Sequence, residues 1–158
     1  MAEDNNEKFI QQAITLAAAN VRSGGGPFGA VIVKDGEIIA SGVNMVTRDN
    51  DPSAHAEITA IRHACRQLAT FKLDGCAIYI SCEPCPMCLA AIYWAGIEEI
   101  YYGATRQDAS AIGFADEVIY EEMGLEPARR RIVAQQIGRD EALGPMRDWD
   151  ALEDKVPY

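Results

Sequence analysis

Two short stretches of this chain, His55-Ala56-Glu57 and Pro84-Cys85-Pro86-Met87-Cys88, set the strongest condition on its fold. Zinc takes three or four nitrogen and sulfur ligands arranged in a tetrahedron, about 2.0–2.3 Å from the ion. One imidazole and two thiols meet that demand only if the fold brings the two stretches to one point. Cys85 and Cys88 stand at i, i+3, so on a first helical turn they point the same way. A helix N-terminus also favours the thiolate, because its partial positive charge lowers the thiol pKa. His55 supplies a third ligand, and three protein ligands leave a fourth position for water. That is the arrangement of a reacting site rather than a closed structural one.

Glu57 follows the histidine by two residues and stands near the metal without being an obvious ligand. A carboxylate there can take a proton from metal-activated water and pass protons to a ring nitrogen and a departing amine. Water adding to an amidine-like carbon while ammonia leaves is a deamination. H-x-E followed by P-C-x-x-C is the signature of zinc nucleobase deaminases, and both halves are present in that order. A structural alternative stays open, since Cys82-Glu83-Pro84-Cys85 is also a C-x-x-C. With Cys82 as a fourth ligand the site would be closed, and Glu57 would have no task. A redox role for either C-x-x-C has no thioredoxin-like pattern around it.

The surrounding sequence alternates strand and helix signals. Residues 6–21 have helical spacing in Phe9, Ile10, Ala13, Ile14, Leu16 and Ala17, and Gly24-Gly25-Gly26-Pro27 ends that run. AVIVK, Asp35-Gly36 and EIIAS predict a two-stranded hairpin, the Asp-Gly pair accepting positive φ. Residues 44–54 read as a loop. A helix is predicted from about His55 to Leu68, with Ile58, Ile61, Ala64, Cys65 and Leu68 as its buried stripe. CAIYIS (76–81) is a strand. Pro84 opens a helix that turns Leu89, Ile92 and Tyr93 inward and stops at Gly96. EEIYYGA (98–104) is a further strand, residues 114–123 and 140–153 are helical, and RIVAQQI (131–137) is a strand. The expected architecture is α/β, a sheet covered by helices on both faces.

Length and charge narrow the function. The 158 residues suit a single domain spanning 1–158. A formal net charge of −10 opposes broad contact with a phosphate backbone. Arg129-Arg130-Arg131 is a tight basic cluster, but Glu121 and Glu122 precede it and a solvated surface explains it. The start MAEDNNEKF carries no basic or long apolar export segment, and no apolar stretch reaches membrane-spanning length. The five cysteines are odd in number and three crowd into 82–88, a metal pattern of a reducing compartment, so a cytoplasmic location is expected. Cys65 and Cys76 read as core, His63 as a satisfied surface residue, and Gly24–Gly26 as a turn without the GK[ST] of a phosphate loop.

The chain resembles the cytidine deaminase superfamily, and within it the bacterial guanine deaminases. The resemblance rests on GGPFGAVIVKDG (25–36), NDPSAHAEITAIR (50–62), SCEPCPMCLAAIYWA (81–95), GFADEVIY (113–120) and the tail ending in Tyr158. It implies a three-layer α/β/α fold with a central mixed sheet of about five strands, a homodimer, and one zinc ion per chain. It places His55, Cys85 and Cys88 on the zinc and makes Glu57 the proton shuttle. Asn44 would hydrogen-bond the base, and Asp116 would accept from the adjacent N–H groups of guanine and help release ammonia. Phe28 and Trp94 would wall the planar ring, with core as the alternative for either and of equal weight for Trp94; Ala56 belongs to the same base-binding set, and Tyr158 would act as a lid. The implied reaction, part of purine metabolism, is guanine plus water to xanthine and ammonia, with zinc-activated hydroxide adding at C2.

Other substrates fit the same motifs. A tRNA adenosine deaminase carries AHAE and EPCPMC equally well, but the acidic charge is wrong for holding an RNA stem-loop. Cytosine or another small heterocycle is a further alternative, and an amino-triazine could be a side substrate. A zinc-stabilised module without catalysis is the alternative outside the enzymes. A free purine base needs no extrusion from a duplex and no basic channel, which agrees with the charge.

Overall fold

The computed structural model describes residues 2–158, with side chains from Asn5 onward. They fall into two compact units, the first ending at Asp116 and the second covering Glu117–Tyr158. The first unit is a sheet with helices on both faces. Its strands are β1 (Gly29–Lys34), β2 (Glu37–Val43), β3 (Cys76–Cys82) and β4 (Glu99–Ala104), in the order β2-β1-β3-β4. β1 runs antiparallel to β2 and β3, and β3 runs parallel to β4. The sheet is therefore mixed, as expected, but has four strands rather than about five.

Local chemistry explains the elements. Asp35 (φ 51°) and Gly36 (φ 79°) form the hairpin turn between β1 and β2, both in the left-handed region that such a turn demands. A parallel neighbour needs a crossover, and helix α4 (Pro86–Ala95) supplies it between β3 and β4. Alternate residues of β1 and β3 face opposite layers. Ala30, Ile32, Ile78 and Ile80 pack with Ala56, Ala60 and Ala64 of helix α3 (Ala56–Leu68) and with Ile92 and Ala95 of α4. Val31, Val33 and Tyr79 pack with Phe9 of helix α1 (Ala2–Arg22) on the other side.

Two glycines let helices lie on the strands without a side chain between them. A Cβ at Gly29 would stand 2.4 Å from the Ala13 carbonyl oxygen of α1. A Cβ at Gly42 would stand 2.2 Å from the Ala56 carbonyl oxygen and 2.5 Å from the Ala60 nitrogen of α3. This contact explains a departure from the sequence reading. The buried seam of α3 is Ala56, Ala60 and Ala64, joined by Glu57, while Ile58, Ile61 and Cys65 are half-buried and Leu68 is exposed. Small residues win the inward face because the helix sits too close for isoleucine.

Other expectations are corrected at particular residues. Tyr93 is not inward but 76% exposed, because Cys88, Ile92 and Ala95 take the buried side of α4. That helix has no charged residue, so its pattern did not mark which face turns in. It begins at Pro86, not Pro84, with Cys85 as its N-cap. The expected loop at 44–54 contains a short helix α2 (Val46–Asp49), and helix α5 (Arg106–Ala111) is closed by a Thr105–Asp108 capping box. RIVAQQI (131–137) is not a strand. Extended backbone becomes a strand only where a neighbour completes its hydrogen bonds, and the second unit offers none; Ile132, Val133 and Ile137 are exposed.

The second unit consists of helices α6 (Glu117–Met123) and α7 (Arg139–Asp150), joined through a 3-10 turn at Pro127–Arg129. Polar contacts order it: Arg130 Nε donates to the Leu125 carbonyl at 3.0 Å and the Arg131 N–H to Glu122 at 2.7 Å. Within the basic cluster, expected only as solvated surface, Arg130 and Arg131 thus serve local structure. No helix among the described residues is long and apolar enough to cross a membrane.

If the Gly42 contact carries the α3 packing, Gly42→Ala should lower unfolding stability by about 1–3 kcal/mol. The reading is a urea melt, with Gly36→Ala, at an open turn, as the comparison for backbone strain alone.

Candidate metal centre

His55 and Cys85 are both N-caps, with extended ψ angles of 162° and 168°, so each side chain stands at the mouth of its helix. Pro86 is suited to the first position of α4, where no N–H is needed, and Cys88 follows one turn after Cys85. Because α3 and α4 share one face of the sheet, the two mouths converge. His55 Nδ1 lies 3.6 Å from Cys85 Sγ and 3.5 Å from Cys88 Sγ. Three atoms bound tetrahedrally to one zinc at normal bond lengths are about 3.5–3.8 Å apart. The donor set and its spacing therefore fit zinc, all three atoms lying within 4.8 Å of one another.

The electrostatics agree with that fit. The hydrogen bond from Cys88, supported by His55, holds the Cys85 thiol down to about 4. Cys88 moves upward for the same reason, since it faces the Cys85 thiolate. The pair thus shares one proton, which a bound metal would displace. The Cys85 hydrogen bond also raises His55. Glu57 occupies the first turn of α3, is buried, and is pushed by that burial to about 7. A carboxyl group at that value can both accept and give a proton near neutrality.

Cys82 does not join the set. It ends β3, and its thiol donates to the Thr105 carbonyl at 3.5 Å. Burial pushes it up to about 11, with the charges of Glu57, Glu83, Asp108 and Asp116 adding to the effect. A neutral thiol committed as a donor is a poor zinc ligand. Cys76 is buried and Cys65 half-buried against the core, and His63 Nδ1 contacts the Ser41 carbonyl at 2.9 Å.

The remaining candidates spread over several elements. Asn44 follows β2 and is buried, its Oδ1 accepting from the Val46 N–H at 3.3 Å. That contact orients the carboxamide. The main-chain N–H of Asn44 donates to the Phe28 carbonyl at 3.2 Å, which ties this residue to the loop before β1. Phe28 is half-buried and meets Phe114 edge-on at 4.9 Å and 87°. Ala56 is fully buried at the first position of α3. Asp116 is half-buried at the end of the first unit, within electrostatic reach of Cys82. Trp94, 64% exposed on α4, is not core. Tyr158 is exposed and belongs to the second unit.

Sequence reading missed Asn20 and Phe114. Asn20 is 5% exposed in the last turn of α1, and a lone asparagine in a helix gives no signal that it is buried. Phe114 precedes Asp116 within a segment already noted, but only the ring contact identifies it.

Comparisons with known proteins follow the same lines. The sequence profile of the family described as the cytidine and deoxycytidylate deaminase zinc-binding region matches residues 3–104. The guanine deaminase of Bacillus subtilis (strain 168) is 51% identical over 155 residues, 98% of this chain and 99% of the relative. Its X-ray structure superposes with a TM-score of 0.93, covering 96% of this chain and 98% of that one. A tRNA-specific adenosine deaminase of Aquifex aeolicus (strain VF5) is 44% identical, but over 62% of this chain and 65% of its own. A solved structure in complex with 2,6-diaminopurine is 30% identical, with a TM-score of 0.68 over 97% of this chain and 85% of that one.

A set of three protein ligands makes a sharp prediction for metal analysis of the purified protein. Cys85→Ser should lose most of its zinc, whereas Cys82→Ser should retain one ion per chain. Equal loss in both variants would restore the closed four-ligand reading.

Proposed function

Because the chain belongs to the cytidine and deoxycytidylate deaminase family, we propose that it hydrolyses guanine to xanthine and ammonia. The observation that carries this is the extent of the likeness. The metal motif serves base and tRNA deaminases alike, but the guanine deaminase relative matches 98% of the chain and the tRNA-specific one 62%. The same extent supports treating residues 1–158 as one catalytic domain.

His55, Cys85 and Cys88 would hold zinc, whose chemistry is to make a water molecule acidic near neutral pH. Glu57 receives the proton of the attacking water, and its buried carboxyl retains that proton out of bulk solvent. It passes that proton to the ring nitrogen beside C2, then takes the second proton from the added hydroxyl and delivers it to the departing exocyclic amine. Oxygen bonds to C2 as the C2–N bond breaks, so guanine and water balance xanthine and ammonia. Asn44 presents an oriented carboxamide to the base edge. Ala56 sits where a backbone N–H has no acceptor within its helix, and can serve a substrate carbonyl. Asp116 accepts from the adjacent N–H groups of guanine and aids ammonia release. Phe28 and Trp94 wall the ring.

We place the protein in the cytoplasm as a homodimer. None of its five cysteines is in a disulfide, which suits a reducing compartment. The uncharged helix α4 exposes Met87 and Tyr93, an apolar surface that a second copy would cover. Tyr93→Glu should accordingly shift the protein from dimer to monomer in analytical ultracentrifugation.

Ammonia release from guanine, adenine, cytosine and guanosine tests the substrate. Release should come from guanine, and Glu57→Gln should reduce it by about 10²-fold or more while zinc content stays unchanged. Release only from a tRNA stem-loop would overturn the free-base reading.

A further inference from the structure

Three segments around Asn44 close on one side chain. Asn20 Nδ2 donates to the Gly26 carbonyl at 2.8 Å and to the Asn44 carbonyl at 2.9 Å. Asn20 Oδ1 meets Arg48 Nη2 at 3.5 Å, which reaches α2. The Gly25 N–H donates back to the Asn20 carbonyl at 2.9 Å. The fit is tight: a Cβ at Gly25 would stand 2.4 Å from Asn20 Nδ2, and one at Gly26 would stand 3.2 Å from Asn44 Cγ. The end of α1, the glycine loop and the chain leaving β2 are therefore locked together on a buried carboxamide.

We infer that Asn20 is a positioning residue for Asn44, holding its main chain so that its carboxamide meets the base in one orientation. The inference rests on the reading of Asn44 as a base contact. A carboxamide is the group this place requires. Its two N–H donors serve two carbonyls from different segments, while its oxygen accepts from a cation. Aspartate has the same shape but no donors, and would set a negative charge against two carbonyl oxygens. Serine can serve one carbonyl at most.

A merely structural asparagine would affect the fraction folded, whereas a positioning one changes substrate affinity through Asn44. The test is a double-mutant cycle on the zinc-loaded enzyme with guanine, using Asn20→Ser, Asn44→Ala and the pair, with Asn20→Asp alongside. Loss of a buried hydrogen bond of this kind corresponds to about a tenfold change. Asn20→Ser should raise KM about that much and alter kcat less, with zinc retained. In the Asn44→Ala background it should add less than about twofold, because coupled neighbours are not additive. Additive effects on KM, or a lower Tm with KM unchanged, would overturn the inference.

Hydrogen exchange without substrate separates this result from a failure of the guanine reading. Both Asn20 variants should exchange faster at residues 24–28 and 44–46 than the unaltered protein, with β3 and β4 unchanged. Unaltered exchange there overturns the positioning role whatever the substrate. Localised acceleration in an enzyme inactive on guanine supports the Asn20 hold and sinks the guanine assignment alone.

Discussion

The absence of a side chain at Gly42 lets α3 lie directly on β2, and that close approach sets where His55 and Glu57 stand. A helix so near a strand must present alanines to it, and Ala56, Ala60 and Ala64 do so. Glu57 shares the buried first turn with Ala56 because it neighbours that seam. On the same face, the crossover from β3 to β4 delivers α4 beside α3. Two helix mouths then open toward one place, and the residues at their N-caps are an imidazole and a thiol. The metal geometry is thus a consequence of helix packing on the sheet. No ligand stands on a long loop, which keeps the donor spacing near that of a tetrahedral ion.

The same packing divides the acidic and thiol groups into distinct chemical states. Cys85 and Cys82 are three residues apart, yet Cys85 is held as a thiolate while Cys82 is pushed up to about 11. Cys85 stands at a helix mouth between Cys88 and His55; Cys82 stands at a strand end among carboxylates. Glu57, out of water, reaches about 7 and becomes a group that can carry a proton in both directions. Elsewhere, Asn20 ties the Gly26 and Asn44 main chains together by hydrogen bonds and itself accepts from Arg48.

Much of the site was legible because its chemistry depends on short spacings. H-x-E and C-x-x-C mark the candidate ligands and carboxylate, since a helical turn fixes where i, i+2 and i+3 residues point. The Asp35-Gly36 hairpin was legible for a similar reason, as few dipeptides tolerate two positive φ angles. The inward faces of α3 and α4 were less so. Both helices are apolar on more than one side, and periodicity then cannot choose between Ile58 and Ala60 or between Tyr93 and Ile92. The second unit was least legible: RIVAQQI has strand-forming residues, but a strand also needs a neighbour, and local sequence does not supply one.

By itself, then, the sequence determined the candidate metal-ligand types, the carboxylate candidate beside them, the α/β alternation and a formal net charge of −10. These are properties of neighbours along the chain or of the chain as a whole. Tertiary structure decided that three ligands converge and Cys82 stays out, that Glu57 is buried enough to change its acidity, and that Asn20 grips Asn44. Each depends on residues distant in sequence meeting at distances set by helix–sheet packing, and no local spacing encodes those distances.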